Sequence, residues 1–264
     1  TLMLDLSKEY LSLLHSLIEE GKDRALIKKL APLHANDIAL ILNQIKRDDV
    51  HYLYRLLADD VRSDVIAELD EEVREDLLAT LTSKEIAEDV IDGLASDDAT
   101  DIISELSSEK IEEVFSHVKD KESVSDVKSL LEYPEGTAGA LMAKELVKVE
   151  ETWSVAKAVK EIRVQSKDIE NLYTIYVVDE KGKLTGRLSL QNLLLSSISA
   201  RTPIGDIIDA DETVWINSNE NEDLVVSLME RYDLVALPVV DDNGILLGRI
   251  TIDDAVDVII EDAE

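Results

Sequence analysis

The feature that most limits the fold is a stretch of sequence that occurs twice, at an offset of 62 residues. Val177-Val178-Asp179-Glu180-Lys181-Gly182 is matched by Val239-Val240-Asp241-Asp242-Asn243-Gly244. Leu184-Thr185-Gly186-Arg187-Leu188-Ser189-Leu190 is matched by Leu246-Leu247-Gly248-Arg249-Ile250-Thr251-Ile252. Each copy reads as a strand, a Gly-bearing turn, a second strand, and a helix beginning at Ser189 or Thr251. Upstream of each lie a short strand (Val147 to Val149; Val214 to Ile216) and a helix (Ser154 to Arg163; Glu222 to Tyr232). The unit is β-α-β-β-α, and two such units in tandem bury their sheets together as a pseudo-dimer.

The first half repeats at a shorter period. Apolar residues at Ile45, Leu57, Leu69, Leu81, Leu94, Leu106 and Val118 recur in steps of 12, except for one step of 13 from Leu81 to Leu94. Between them the apolar spacing is helical, as in Val73-Leu77-Leu78-Leu81 and Ala99-Ile102-Ile103-Leu106. The junctions Thr82-Ser83, Ser96-Asp97 and Ser107-Ser108 hold residues that cap helices well. Such short helices bury their apolar faces only by stacking, so residues 1–132 read as an α-solenoid, with a helical bundle as the alternative. The breaker cluster Tyr133-Pro134-Glu135-Gly136 ends it. The expected fold class is thus α followed by α/β: a helical domain over 1–132, then β-α-β-β-α domains over 137–200 and 201–264.

The net charge of the chain is −31, which argues against nucleic acid and anionic lipid as partners and favours cations. Its distribution says more. Net charge is −2 over residues 1–60, −15 over 61–132, 0 over 133–200 and −14 over 201–264. The excess therefore sits on the late solenoid and the second copy of the repeat. The chain has no cysteine, which excludes thiolate metal sites and disulfides. His15, His34, His51 and His117 lack zinc-site spacing, and no P-loop, nucleophile elbow or dinucleotide fingerprint is present, so an enzyme is not expected. Asp209-Ala210-Asp211 lacks the glycine and closing glutamate of an EF-hand.

The strand, the Asp-x-x-Gly turn, the Gly-Arg strand and the following helix, in two registered copies, resemble the CBS domain. A helical solenoid, then Tyr133-Pro134-Glu135-Gly136-Thr137-Ala138-Gly139-Ala140-Leu141-Met142, then a CBS pair, resembles the cytosolic region of the MgtE family of magnesium channels. The resemblance covers nearly the whole chain. It implies a sensor on the cytoplasmic face of the cell membrane, a homodimer formed through the CBS domains, and a transmembrane pore domain following this region, so that the chain is a fragment of a longer protein.

The resemblance also implies several bound Mg²⁺ ions at domain and dimer interfaces. Residue by residue it points to Asp64, Asp97, Asp98 and Asp101 in the solenoid, and to Asp233, Asp254 and Asp257 in the second CBS domain. Asn221, Asp223 and the carbonyl of Gly136 are weaker candidates, and Asn221 stands where the family has an acid. Mg²⁺ keeps several waters and needs only one or two carboxylates, so ions can bridge two acidic surfaces without a dense motif. Any one of these acids alone would read as a solvated helix face or a cap; the charge segregation is what singles out the group. CBS domains also bind nucleotides through a Ser/Thr-x-x-Asp element. Here that element implicates Asn192 and Asp254, with ATP as the expected second ligand. The competing function is a soluble nucleotide-responsive adaptor whose solenoid binds a protein, and a third reading treats the charge as salt adaptation.

Overall fold

The computed structural model describes residues 6–169, 172, 174–190, 193, 198–208 and 213–261. The chain divides into two compact units, Thr1–Val127 and Lys128–Glu264.

The first unit is helical: α1 Lys8–Glu19, α2 Asp23–Leu30, α3 Ala35–Leu42, α4 Arg47–Leu56, α5 Asp59–Ala67, α6 Glu71–Leu78, α7 Ser83–Ile86, α8 Ser96–Ser104, α9 Ser108–His117 and α10 Lys121–Leu130, the last crossing the boundary. The twelve-residue rhythm has a clear structural origin. Leu57, Leu69, Leu81, Leu94 and Leu106 each stand immediately before the residue that caps the next helix. From there each packs into one core that extends from Leu14 to Val127. An apolar residue at this place fixes the angle at which the chain enters its helix.

The single step of 13 is where α7 runs on into a π-helical turn, Ala87–Ile91. That turn closes with Asp92 N–H donating to the Ala87 carbonyl at 3.0 Å. A π turn absorbs one additional residue without breaking the hydrogen-bond ladder. Thr82 and Glu85 form a reciprocal capping box, and the Ser107 hydroxyl caps α9. The third expected cap differs. Ala95 holds the position, Ser96 is already helical, and the Asp97 carboxylate accepts the Asp98 N–H at 2.9 Å.

The second unit holds two three-stranded sheets, β1 Val147–Glu150, β2 Ile175–Val178, β3 Leu184–Leu188 and β4 Ile216–Asn217, β5 Ala236–Val240, β6 Leu246–Thr251. The helices α11 Val155–Gln165, α12 Glu222–Arg231 and α13 Ile252–Glu261 pack with them. In each sheet the first pair is parallel and the second antiparallel, with a register shift at Val177/Val178 and again at Val239/Val240. Asp179 accepts backbone N–H from Lys181 and Lys183, while Asp241 accepts from Asn243 and Ile245. Gly182 and Gly244 take the left-handed backbone that closes each turn, at φ +81° and +80°. The strand expected from Val214 is confined to Ile216–Asn217, because only these residues pair with β5.

The two copies exchange their leading segments. Ala138 and Gly139 N–H donate to Glu220 and Ser218 carbonyls, and Ala138 and Met142 lie in the core of the second sheet. Reciprocally, Gly205 N–H donates to the Glu151 carbonyl, Ile204 N–H donates to Trp153, and Ile204 lies in the core of the first sheet. Gly248 permits one crossing: a β-carbon there would stand 2.4 Å from the Ala143 carbonyl oxygen. The turns of the two hairpins also pair, with Leu184 N–H donating to the Gly244 carbonyl and Leu246 N–H to that of Gly182.

Candidate functional site

The segment exchange explains how Gly136 reaches a residue 86 positions downstream: its carbonyl accepts the Glu222 N–H at 3.1 Å, at the first turn of α12. Asn221 caps that helix, its side-chain oxygen accepting the Asp223 N–H at 2.8 Å. Gly136, Asn221 and Asp223 therefore form one oxygen-rich corner. Glu222 joins it, because a β-carbon at Gly136 would lie 3.6 Å from Glu222 Oε1. The sequence reading missed Glu222, since the contact exists only through the crossing.

The other end of α12 carries Asp233. The helix closes with Asp233 N–H donating to Glu230 and Leu234 N–H to Met229, the bonding pattern of a Schellman motif. Asp233 occupies the position where that motif favours glycine, at φ 50°. An exposed aspartate in this region costs about 1–2 kcal/mol of backbone energy. A glycine would relieve that cost but would bring no carboxylate.

Asp254 and Asp257 lie on one face of α13, with Asp253 beside them. Thr251 N–H and hydroxyl donate to Asp254 Oδ2 at 2.7 and 2.8 Å, and the hydroxyl also contacts Asp253 Oδ1. Thr251 and Asp254 thus cap the helix between themselves, and a ribose would have to compete for that carboxylate oxygen. Burial pushes Asp254 up to about 6. The Thr251 bonds pull it back, while the neighbouring Asp253 charge adds to the rise. Asp257 is raised in the same direction, by burial and then by Asp253. These carboxylates are thus held where their charge is poorly compensated. Asp253 is a further acid absent from the sequence candidates, though the Asp-Asp pair in the element was its signal.

In the helical unit, Asp97, Asp98 and Asp101 lie in α8 and Asp64 in α5. Asp97 and Asp101 share a helical face; Asp64, Asp98 and Asp101 are exposed and Asp97 is half-buried. Asn192 lies outside the described residues. Among the described residues, no group of three or more His, Asp or Glu side chains could hold a metal ion by itself. Among the described residues no helix is long and apolar enough to cross a membrane.

The chain matches the MgtE intracellular N domain over residues 33–136 and the CBS domain over 138–199 and 204–261. It is 32% identical over 247 residues to the magnesium transporter MgtE of Thermus thermophilus, covering 93% of this chain and 54% of that protein. It is 30% identical over 256 residues to the Bacillus subtilis magnesium transporter MgtE, covering 94% of this chain and 54% of that one. The chain thus spans about half the length of these relatives. A crystal structure of the cytosolic domain of the Mg²⁺ channel MgtE in complex with ATP is similar, with a TM-score of 0.84 and 31% identity over 94% of this chain and 99% of that one. A crystal structure of the soluble part of a magnesium transporter superposes with a TM-score of 0.81 at 26% identity, covering 97% of this chain and 99% of that one.

Proposed function

The chain belongs to the MgtE family of magnesium transporters as its cytosolic region, and from that premise we propose that it is the Mg²⁺-sensing element that regulates a transmembrane pore. Divalent cations bridge the acidic surface of the helical domain, residues 1–132, and that of the second CBS domain, residues 201–264, and stabilise the closed state. When Mg²⁺ is scarce the two surfaces repel. An ion shifts such an equilibrium only by binding one state more tightly, and several weak carboxylate sites acting together make the response steep. The observation that carries this reading is the carboxylate set of α13, where burial and Asp253 raise Asp254 and Asp257, so that a nearby cation would favour their charged forms. Asp233, held in a strained backbone that glycine would relieve, supports it.

Two chains pair through their CBS domains. On α13, Ile252, Val256, Ile259 and Ile260 follow helical spacing and are 41–52% exposed, an apolar stripe suited to a partner copy. The region acts on the cytoplasmic face of the membrane and regulates rather than catalyses.

A Mg²⁺ titration followed by calorimetry and small-angle scattering, against NaCl of matched ionic strength, tests the sensor. Mg²⁺ is expected to compact the wild-type chain, and Asp97→Ala combined with Asp254→Ala to weaken that response. Equal compaction by NaCl would reduce the effect to screening, and an unchanged double variant would remove the site assignment. A second reading, the nucleotide-responsive adaptor, draws support from the Thr251-x-x-Asp254 element and from the ATP complex of the similar protein. A thermal shift with ATP but none with Mg²⁺ would favour it.

A further inference from the structure

One buried carboxylate has no part in the sites above. Asp89 lies in the π turn and is 2% exposed. It accepts a hydrogen bond from the Tyr54 hydroxyl of α4 at 2.9 Å. Arg62 of α5 donates to it through Nε and Nη2 at 3.2 and 3.1 Å. Arg62 also reaches Asp59 at 3.0 Å, so the guanidinium is fixed from both sides. Burial raises Asp89 despite these bonds. An apolar side chain would fill the same space without that penalty, and buried ion pairs are weak contributors to stability. What the network supplies is direction, because it accepts α4, α5 and the π turn in one mutual register.

The same contact is tightened at a second point. A β-carbon at Gly93 would stand 2.0 Å from Ser63 Oγ, so the end of the π turn lies directly against α5. Ser63 adjoins Asp64, and α8 with Asp97 begins within a few residues of Gly93. A π turn that reverted to α-helix would expel one residue. Either the short Gly93-to-Ala95 link absorbs it or α8 rotates, by up to about 100° per residue. Such a rotation would turn the α8 face that carries Asp97 and Asp101.

We propose that Asp89, with Tyr54 and Arg62, is a positioning residue for divalent cation binding: it holds the π turn that packs on α5 and sets the orientation of α8 and its carboxylates. The inference rests on the cation-sensing reading above. Its prediction is that Asp89→Asn and Asp89→Leu in the full chain weaken the Mg²⁺ midpoint about 10-fold or more, as losses of supporting contacts around metal ligands do, while helix content by circular dichroism stays the same. Tyr54→Phe, which removes one hydroxyl, shifts the midpoint in the same direction by less. The titration is run at constant ionic strength beside Asp97→Ala/Asp101→Ala. If the Asp89 variants lower the melting temperature but leave the midpoint unchanged, Asp89 is only structural and the proposal fails. If Asp89→Asn does not fold, Tyr54→Phe decides: an unchanged midpoint overturns the proposal. If the Asp97→Ala/Asp101→Ala chain titrates like wild type, the cation assignment of α8 has failed instead.

Discussion

The two β-α-β-β-α copies share a frame and differ in what they carry. Their hairpins have the same register, the same bulge and the same Asp-capped, Gly-closed turn. The first lies in a stretch with net charge 0 and the second in one with −14. Where the second copy has Asp253 and Asp254, the first has Gln191 and Asn192. The frame therefore depends on a few backbone-bonding residues that leave the surface free to vary. Charge on one copy alone is not needed for folding, which is why it reads as function.

The comparison breaks most severely at Gly248, where the second copy accepts the leading segment of the first. Gly248→Val drives a side chain into the Ala143 carbonyl and the Met142 sulfur. A loss of about 3 kcal/mol is expected, at the upper end of overpacking costs. Hydrogen exchange locates it: the Ala143 and Arg249 amides, which bond each other's carbonyls at 2.8 and 2.9 Å, should lose protection first. Protection retained there would mean that the crossing does not depend on the glycine.

A second, smaller effect is specific to the charged copy. Asp254 is raised to about 6 in the folded chain against 3.8 for an unperturbed carboxyl. Between these values the folded state binds more protons than the unfolded one. Its contribution to stability is therefore present at low pH and lost as pH rises through about 6. The loss is on the order of 2 kcal/mol after allowance for partial exposure. Asp254→Asn makes the second copy resemble the first and should flatten that part of the stability–pH curve, measured by urea unfolding from pH 4.5 to 7.5 in EDTA. Parallel curves for the two proteins would show that Asp254 is not the titrating group.

Much of the frame was legible in sequence. The 62-residue offset gave hairpin, turn and bulge twice, because each depends on local residues such as Asp179 and Gly182. The twelve-residue step marked the helix junctions, because an apolar residue recurs before each cap. The segment exchange was not legible. It is made by backbone bonds from Ala138, Gly139, Ile204 and Gly205, which leave no side-chain pattern. The step of 13 did carry the π turn, but a loop longer by one residue would give the same count. Asp89, between Ala87 and Val90 on an apolar face, was the accompanying signal. The candidate site was legible only as a set. In so acidic a chain each aspartate alone fits a cap or a solvated face, and Asp254 is in fact a cap as well as a candidate ligand.

The smallest expected effect separates those two roles at Asp233. In the first copy, α11 ends in a 3₁₀ turn, Ser166–Asp168, whereas α12 ends with Asp233 in the left-handed region. Glycine is favoured at that place and aspartate only tolerated, so Asp233→Gly should stabilise the apo chain by up to about 1 kcal/mol. A residue kept only for the turn would give that gain at every Mg²⁺ concentration. A residue that binds the ion gives it in EDTA and reverses it in Mg²⁺, since the wild type then gains binding energy that the variant lacks. Melting curves of both proteins across a Mg²⁺ series distinguish the cases. Crossing curves assign the carboxylate to the ion, and a constant offset assigns it to the helix end alone.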